Sequence, residues 1–213
     1  MYILYAPGMG KDMSVLQAFR EELLNHGYTI DCVKMLYDHG NLAFDSFDSL
    51  SVNYRWWVGI SLGASIMYYW LSNFPPAYIP ERLTLINPFY DRKKLSVEKG
   101  FSMNGQWDIS LVPLLHRLET LDVVVSLYDR SIPIYHGIKL LNASQAYHKH
   151  LIFVEADHQI KEESKQKELA DMLLNIEKGA SDVQYNYCHI YKQYGTIFTS
   201  HNNAVEIFEG KSY

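Results

Sequence analysis

The most constraining feature of this sequence is its regular alternation between short apolar runs and longer segments with helical spacing of hydrophobic residues. Short apolar runs bounded by turn residues predict buried strands. Because alternating strands and helices build a parallel sheet with helices on both faces, we expect an α/β fold with about six strands in a mostly parallel central sheet. The predicted strands are Tyr2–Tyr5, Thr29–Leu36, Arg55–Ile60, Leu83–Asn87, Asp122–Leu127 and Leu151–Glu155.

The predicted helices separate these strands and follow the last one. In the first helix Phe19 and Leu23 share one face, Asp12 is a candidate N-cap, and Gly27 is a candidate stop. A further short helix is predicted over Leu42–Leu50 from a weaker pattern. The principal predicted helices are Asp12–His26, Leu62–Asn73, Ile132–Ser144 and Lys161–Ile176.

Two segments interrupt the alternation. Residues 89–119 combine a charged loop with large apolar side chains between two predicted strands, and we expect them to form a short cap. From residue 181 onward, alternating tyrosines and strand-forming residues predict two or three antiparallel strands. The sequence therefore predicts a main domain over 1–180 and a β-rich C-terminal extension over 181–213. This extension would pack on the same domain or associate with another copy of the chain.

Composition excludes several classes of protein. The 213 residues are 48% hydrophobic and carry a net charge of −5, so a sizeable core is expected but not the basic face of a nucleic-acid binder. The two cysteines, Cys32 and Cys188, do not make a disulfide framework, which favours a reducing, cytoplasmic location. The first residues lack a signal-peptide pattern, and no apolar run approaches the roughly 18 residues of a membrane span. No spacing typical of a metal site or of a nucleotide-binding loop is present, so no metal and no cofactor are expected.

The segment Gly59–Gly63 reads Gly-Ile-Ser-Leu-Gly and lies between a predicted strand and a predicted helix. A serine raised above a sheet on a sharp strand-to-helix turn needs small residues two positions before and after it, because the two backbones pass close together there. The pattern therefore predicts that Ser61 is a nucleophile. The alternative is a glycine-rich turn of an α/β fold with no catalytic part.

An acid and an imidazole follow two later strands. Asp129 comes directly after the fifth predicted strand, and His158 follows the sixth. The carboxyl ends of parallel strands meet at one edge of a sheet, where ligands bind, so both side chains are expected near Ser61. Asp157 is a poorer partner for His158, because neighbouring side chains rarely hydrogen-bond well. The alternatives are a turn-capping role for Asp129 and a solvated loop position for His158.

These motifs together resemble the α/β-hydrolase superfamily over about residues 2–177. The resemblance rests on Pro7–Gly10, Gly59–Gly63, Asp129–Pro133 and Ala156–His158. It implies a compact serine hydrolase with an α/β-hydrolase-like sheet and a short cap. The C-terminal extension matches nothing in that fold.

The resemblance also implies a role for each residue of the site. Ser61 would be the nucleophile, His158 the general base and acid, and Asp129 the residue that orients the imidazole. The backbone amides of Met9 and Leu62 would form the oxyanion hole. The superfamily usually has His-Gly before the first of these donors, whereas this chain has Pro-Gly.

The expected substrate is a carboxylic ester or thioester, either a small molecule or attached to a carrier. Tyr90, Phe101 and Trp107 are candidates for an apolar acyl pocket, although they could equally cover the sheet. Asn87–Phe89 is expected to border that pocket. Two alternative functions stay open: an acyltransferase using the same triad, and a non-catalytic hydrolase-like binding protein.

Overall fold

The fold was obtained as a computed structural model, which gives ten strands and four principal helices in the residues it describes. The described residues are 1–8, 14–33, 37–38, 41–42, 54–73, 79–91, 94–95, 97, 118–178, 196–201 and 204–209. The strands are β1 (Tyr2–Ala6), β2 (Thr29–Cys32), β3 (Tyr37–Asp38), β4 (Asn41–Leu42), β5 (Trp56–Ile60), β6 (Arg82–Ile86), β7 (Thr120–Ser126), β8 (His148–Val154), β9 (Thr196–His201) and β10 (Ala204–Glu209). The helices are α1 (Gln17–Asn25), α2 (Leu62–Asn73), α3 (Tyr135–Ala143) and α4 (Glu163–Glu177).

Six strands form the central sheet in the order β2-β1-β5-β6-β7-β8, and every neighbouring pair is parallel. The predicted parallel sheet of about six strands is confirmed. All five residues of β5 and all five of β6 are buried. Because successive side chains of a strand point to opposite faces, the sheet is covered on both faces at its centre.

The strand order reverses next to β1. The chain passes from β1 to β2 on one side and then returns to β5 on the other side, before continuing through β6 and β7 to β8. Such a reversal leaves a crevice at the carboxyl ends of the two strands that flank it. Gly8 follows β1 and Ser61 follows β5, so the topology places both at this crevice.

The helix boundaries agree with the prediction for α2, whereas α3 begins three residues and α4 two residues later than predicted, and the largest difference is at the start of α1. Residues 14–16 form a turn, and Leu16 has a left-handed backbone with φ of 53°, so the helix cannot extend back through it. The predicted start at Asp12 is therefore wrong as far as the described residues reach, and Asp12 itself lies outside them. Gly27, with φ of 84°, ends the helix as predicted.

The regions outside the main alternation are described only in part. Leu42 belongs to β4, which pairs with β3, so the predicted helix does not include it; residues 43–50 lie outside the described residues. Most of the predicted cap, 89–119, also lies outside them. No helix in the described part of the chain is long and apolar enough to cross a membrane.

The chain divides into two compact units, Met1–Ala170 and Asp171–Tyr213. In the second unit β9 and β10 form an antiparallel hairpin, in which Thr196 pairs with Glu209 and His201 with Ala204. Two of the antiparallel strands expected in this region are thus present. The boundary at residue 180 and the role of the extension in association stay predictions.

A buried polar cluster joins four strands, β5 to β8, away from their carboxyl ends. The Asp122 carboxylate is fully buried and accepts hydrogen bonds from Arg82 Nε (2.7 Å) and from the Thr84 hydroxyl (2.7 Å). Its other oxygen lies 2.8 Å from His150 Nδ1. The indole of Trp56 donates to the Thr84 hydroxyl at 2.9 Å. Asp122 therefore has a structural environment distinct from that of Asp129.

We expect Asp122→Ala to destabilise the protein strongly near neutral pH. Burial by itself would raise the pKa of Asp122, but Arg82 and His150 hold that pKa below its ordinary value. A carboxyl with a depressed pKa contributes stability above its unfolded-state pKa of about 3.9 and loses it as the pH falls through the folded-state pKa. Removing the carboxylate that compensates the buried Arg82 should lower the free energy of unfolding by about 3–5 kcal/mol at pH 7. In urea unfolding across a pH series, the difference in the free energy of unfolding between the variant and the wild type should become smaller at acidic pH.

The matched control for this prediction is Glu168→Ala. Glu168 accepts a hydrogen bond from Lys165 Nζ (2.8 Å) in a solvent-exposed ion pair, which typically contributes little to stability. If Asp122→Ala cost no more stability than Glu168→Ala, the buried cluster would not have the energetic role assigned to it.

Candidate active site

Ser61 occupies a one-residue turn between β5 and α2. Its φ is 51°, in the left-handed region that residues with a β-carbon rarely adopt. Its amide donates to the Ile86 carbonyl at 2.8 Å, and its carbonyl accepts from the Ser65 amide at 3.1 Å. The neighbouring strand and the following helix thus hold the strained turn in place.

The two glycines of the motif are required by close backbone contacts. A Cβ on Gly59 would lie 2.5 Å from the Cα of Ala64, at the start of α2. A Cβ on Gly63 would clash with the Ala6 carbonyl oxygen and would lie 2.5 Å from the Pro7 carbonyl oxygen. Any larger residue would therefore push α2 away from β5 or from the loop after β1. This is the close approach that the sequence pattern predicts.

His158 lies between the other two residues of the predicted triad. Its Nε2 is 3.0 Å from the Ser61 hydroxyl oxygen, and its Nδ1 is 2.6 Å from Asp129 Oδ2. The Asp129 side chain is 2% exposed and that of His158 is 22% exposed. The acid is thus sequestered from water, while the imidazole borders the solvent-accessible edge of the sheet.

The Asp129 carboxylate also caps its own turn. Its Oδ1 accepts hydrogen bonds from the amides of Ser131 (2.7 Å) and Ile132 (2.9 Å), which leaves Oδ2 directed at His158. The capping role considered from the sequence is therefore present together with the contact to the imidazole. Because two backbone amides fix one oxygen, the orientation of the other is set before any substrate binds.

The loop after β1 approaches the nucleophile closely. A Cβ on Gly8 would lie 3.4 Å from the Cβ of Ser61 and 3.9 Å from its hydroxyl oxygen. Leu62 is the first residue of α2, where backbone amides have no acceptor within the helix. Both features suit an oxyanion hole beside Ser61. Met9, the other predicted donor, lies outside the described residues.

The predicted pocket residues are only partly described. Tyr90 is half-buried, its amide donates to His136 Nδ1 at 3.0 Å, and its ring lies 5.4 Å from Lys139 Nζ. Phe101 and Trp107 lie outside the described residues. The part of the chain that the structure describes holds no group of three or more His, Cys, Asp or Glu that could bind a metal ion.

Asn87, which the sequence predicts only at the border of a pocket, also contributes to the site. It is buried, and its side-chain amide contacts both the end of β7 and the His158 backbone. Its φ is 48°. Among the described residues, the four non-glycine positions with positive φ are Leu16, Ser61, Asn87 and Ile160. Three of the four lie in the site or within two residues of His158, which matches the tendency of backbone strain to gather at functional sites.

Comparison with known proteins gives similarity in structure only. No family model and no curated protein matches the sequence. Alpha/beta hydrolase domain-containing protein 10 from mouse superposes with a TM-score of 0.65 at 16% identity, covering 84% of this chain and 90% of that one. The esterase domain of a Rhodothermus marinus protein superposes with a TM-score of 0.60 at 14% identity, covering 81% and 83%. The ydeN gene product of B. subtilis gives 0.60 at 17% identity, covering 83% and 98%.

Proposed function

We propose that this chain, which has the α/β-hydrolase fold, is a serine hydrolase that cleaves a carboxylic ester or thioester through an acyl-enzyme on Ser61. The observation that carries the proposal is the continuous hydrogen-bonded chain from the Ser61 hydroxyl through His158 to Asp129. This chain lies at the carboxyl ends of the strands, beside the point where the strand order reverses. Two structural neighbours described as esterases are consistent with this chemistry.

Each residue of the proposed triad has a defined chemical role. His158 Nε2 accepts the proton of the Ser61 hydroxyl as its oxygen attacks the carbonyl carbon of the substrate. The resulting imidazolium then protonates the alcohol or thiol as it leaves the acyl carbon. A water molecule deprotonated by the same nitrogen attacks the acyl-enzyme, and the imidazolium returns that proton to the Ser61 oxygen as the acid leaves. Asp129 keeps the proton of His158 on Nδ1 and stabilises the imidazolium between these steps.

The tetrahedral intermediates need donors for their oxyanion. The Leu62 amide begins α2 directly after the nucleophile and is the first proposed donor. Gly8, in the loop after β1, lies beside Ser61, and the next residue in the chain, Met9, is the second proposed donor. One such donor typically contributes about 3 kcal/mol to transition-state stabilisation. The strained backbone of Ser61 supports a catalytic use of this arrangement over a purely structural one, since a binding module has no need of it.

A covalent probe tests the proposal directly. The purified protein would be incubated with a fluorophosphonate and digested, and the modified peptide would be identified by mass spectrometry. We expect stoichiometric modification at Ser61, together with hydrolysis of p-nitrophenyl esters or of an acyl thioester. The matched control is Ser72→Ala, because Ser72 lies in the same helix and its hydroxyl donates to the Tyr68 carbonyl, away from the triad. This variant should be labelled like the wild type.

The same experiment separates the alternatives. Modification at a different serine would overturn the assignment of Ser61, and the absence of both labelling and turnover would overturn the catalytic proposal. Adding a short alcohol to the ester assay distinguishes hydrolysis from transfer. Free acid as the main product supports the hydrolase, whereas an ester of the added alcohol as the main product would favour an acyltransferase.

A further inference from the structure

We infer that Asn87 is a positioning residue that fixes the loop carrying Asp129 relative to the loop carrying His158. The inference rests on the proposed function and concerns how the same site is held together. Asn87 lies directly after β6 and is 2% exposed. Because Asn87 is distant in sequence from both loops, a local sequence pattern does not reveal its contacts with them.

The side chain of Asn87 uses its hydrogen-bonding groups on two different segments. Its Nδ2 donates to the Ser126 hydroxyl (2.9 Å) and to the His158 carbonyl (2.9 Å). Its Oδ1 accepts from the Ser126 amide at 2.8 Å. A flipped amide would set an oxygen against the His158 carbonyl and an NH₂ against the Ser126 amide, so only one orientation fits.

These contacts reach the acid as well as the imidazole. Ser126 ends β7, and its carbonyl accepts a hydrogen bond from the Asp129 amide at 3.2 Å. The contact of Asn87 with Ser126 therefore fixes the base of the turn whose carboxylate meets His158. The buried side chain of Asn87 thus links that turn directly to the His158 backbone.

The residue before Asn87 completes the arrangement. The Ile86 carbonyl accepts from the Ser61 amide at 2.8 Å. The two-residue segment Ile86–Asn87 thus contacts all three loops that carry the triad. Since the reacting atoms must be held to a fraction of an ångström, a common anchor for the three loops bears directly on the rate.

Asparagine suits this position for two separate reasons. With a φ of 48°, the position favours glycine or asparagine over other residues. Glycine would accept the backbone conformation but would remove the three side-chain hydrogen bonds. Aspartate would keep the shape and the acceptor but would lose both donors and face the His158 carbonyl with a carboxylate oxygen.

The test compares Asn87→Gly and Asn87→Asp with the control Thr84→Val. Thr84 is equally buried and lies three residues earlier in β6, but its hydroxyl bonds to Asp122 and Trp56, outside the triad. We expect kcat/KM for a p-nitrophenyl ester to fall roughly 10- to 100-fold in both Asn87 variants, mainly through kcat. The rate of fluorophosphonate labelling should fall in the same proportion. Thr84→Val should lose thermal stability and keep the wild-type kcat.

A spectroscopic readout tests the positioning without reference to turnover. The proton shared by His158 Nδ1 and Asp129 should give a far-downfield ¹H NMR resonance, identified by its absence in His158→Ala. In Asn87→Gly this resonance should shift upfield or broaden, while circular dichroism shows a folded protein. Wild-type kcat together with an unchanged resonance in folded Asn87→Gly would overturn the inference. An inactive, unlabelled wild type would overturn the proposed function, whereas the response of the resonance would still decide the role of Asn87.

Discussion

Ser61→Ala should lower kcat for ester hydrolysis by roughly 10⁶-fold, because removing the nucleophile of a triad leaves only the oxyanion hole and substrate binding to act on water. The change deletes one oxygen, and the β-carbon that defines the strained turn is retained, so the fold should be preserved. Initial rates with p-nitrophenyl esters, measured at enzyme concentrations high enough to detect the residual rate, provide the test. The variant should also fail to react with the fluorophosphonate.

A double variant sharpens this prediction. Substitutions of residues that act as one unit have effects on kcat that are far from additive. The double variant Ser61→Ala/His158→Ala should therefore have the same kcat as Ser61→Ala alone. The control for the serine is again Ser72→Ala, which should keep wild-type activity. Substantial ester hydrolysis by Ser61→Ala would mean that the nucleophile lies elsewhere.

Asp129→Asn should lower kcat by about 10⁴-fold, which is the typical result of placing an amide where the orienting carboxylate stood. The new side chain can keep its acceptor towards the amides of Ser131 and Ile132. Its NH₂ group would then face His158 Nδ1 and favour the tautomer with the proton on Nε2. That nitrogen, 3.0 Å from the Ser61 hydroxyl oxygen, could no longer accept the proton of the nucleophile.

The neighbouring carboxylate supplies the matched control for Asp129. Asp157 precedes His158 in the chain, but its carboxylate contacts other groups. Its Oδ1 accepts a hydrogen bond from the Gln159 amide at 3.0 Å, and its Oδ2 lies 3.5 Å from Lys161 Nζ. Asp157→Asn should therefore leave kcat close to that of the wild type. A large loss in Asp157→Asn, with little loss in Asp129→Asn, would reverse the assignment of the orienting acid.

The positions of Ser61, Asp129 and His158 could be predicted because each follows an apolar run. In a parallel sheet all such positions share one edge. The positions of the strands in the sequence are therefore enough to predict that these distant residues lie close together. The glycines at 59 and 63 added a local steric signature that does not depend on the rest of the fold. Both features are visible in the sequence without any side-chain packing.

Other features depend on contacts that a local pattern does not contain. The contact of Asn87 with the His158 carbonyl joins residues 71 positions apart. The strand β8 begins at His148, three residues before its apolar run, because His148 to His150 pair with Thr120 to Asp122. Pairing between strands, more than hydrophobicity, decides where such a strand begins.

The left-handed turn at Ser61 has a consequence for laboratory evolution of this protein. A non-glycine residue held in such a conformation typically costs about 1–3 kcal/mol, so the turn at Ser61 lowers the free energy of unfolding by an amount that the rest of the fold must offset. Selection for thermal tolerance without a screen for turnover would favour relief of that strain, with glycine at the nucleophile position as the simplest solution. Variants enriched in this way would be thermally more stable but would lack the proposed nucleophile. For this protein, heat resistance alone is therefore a poor measure of retained activity.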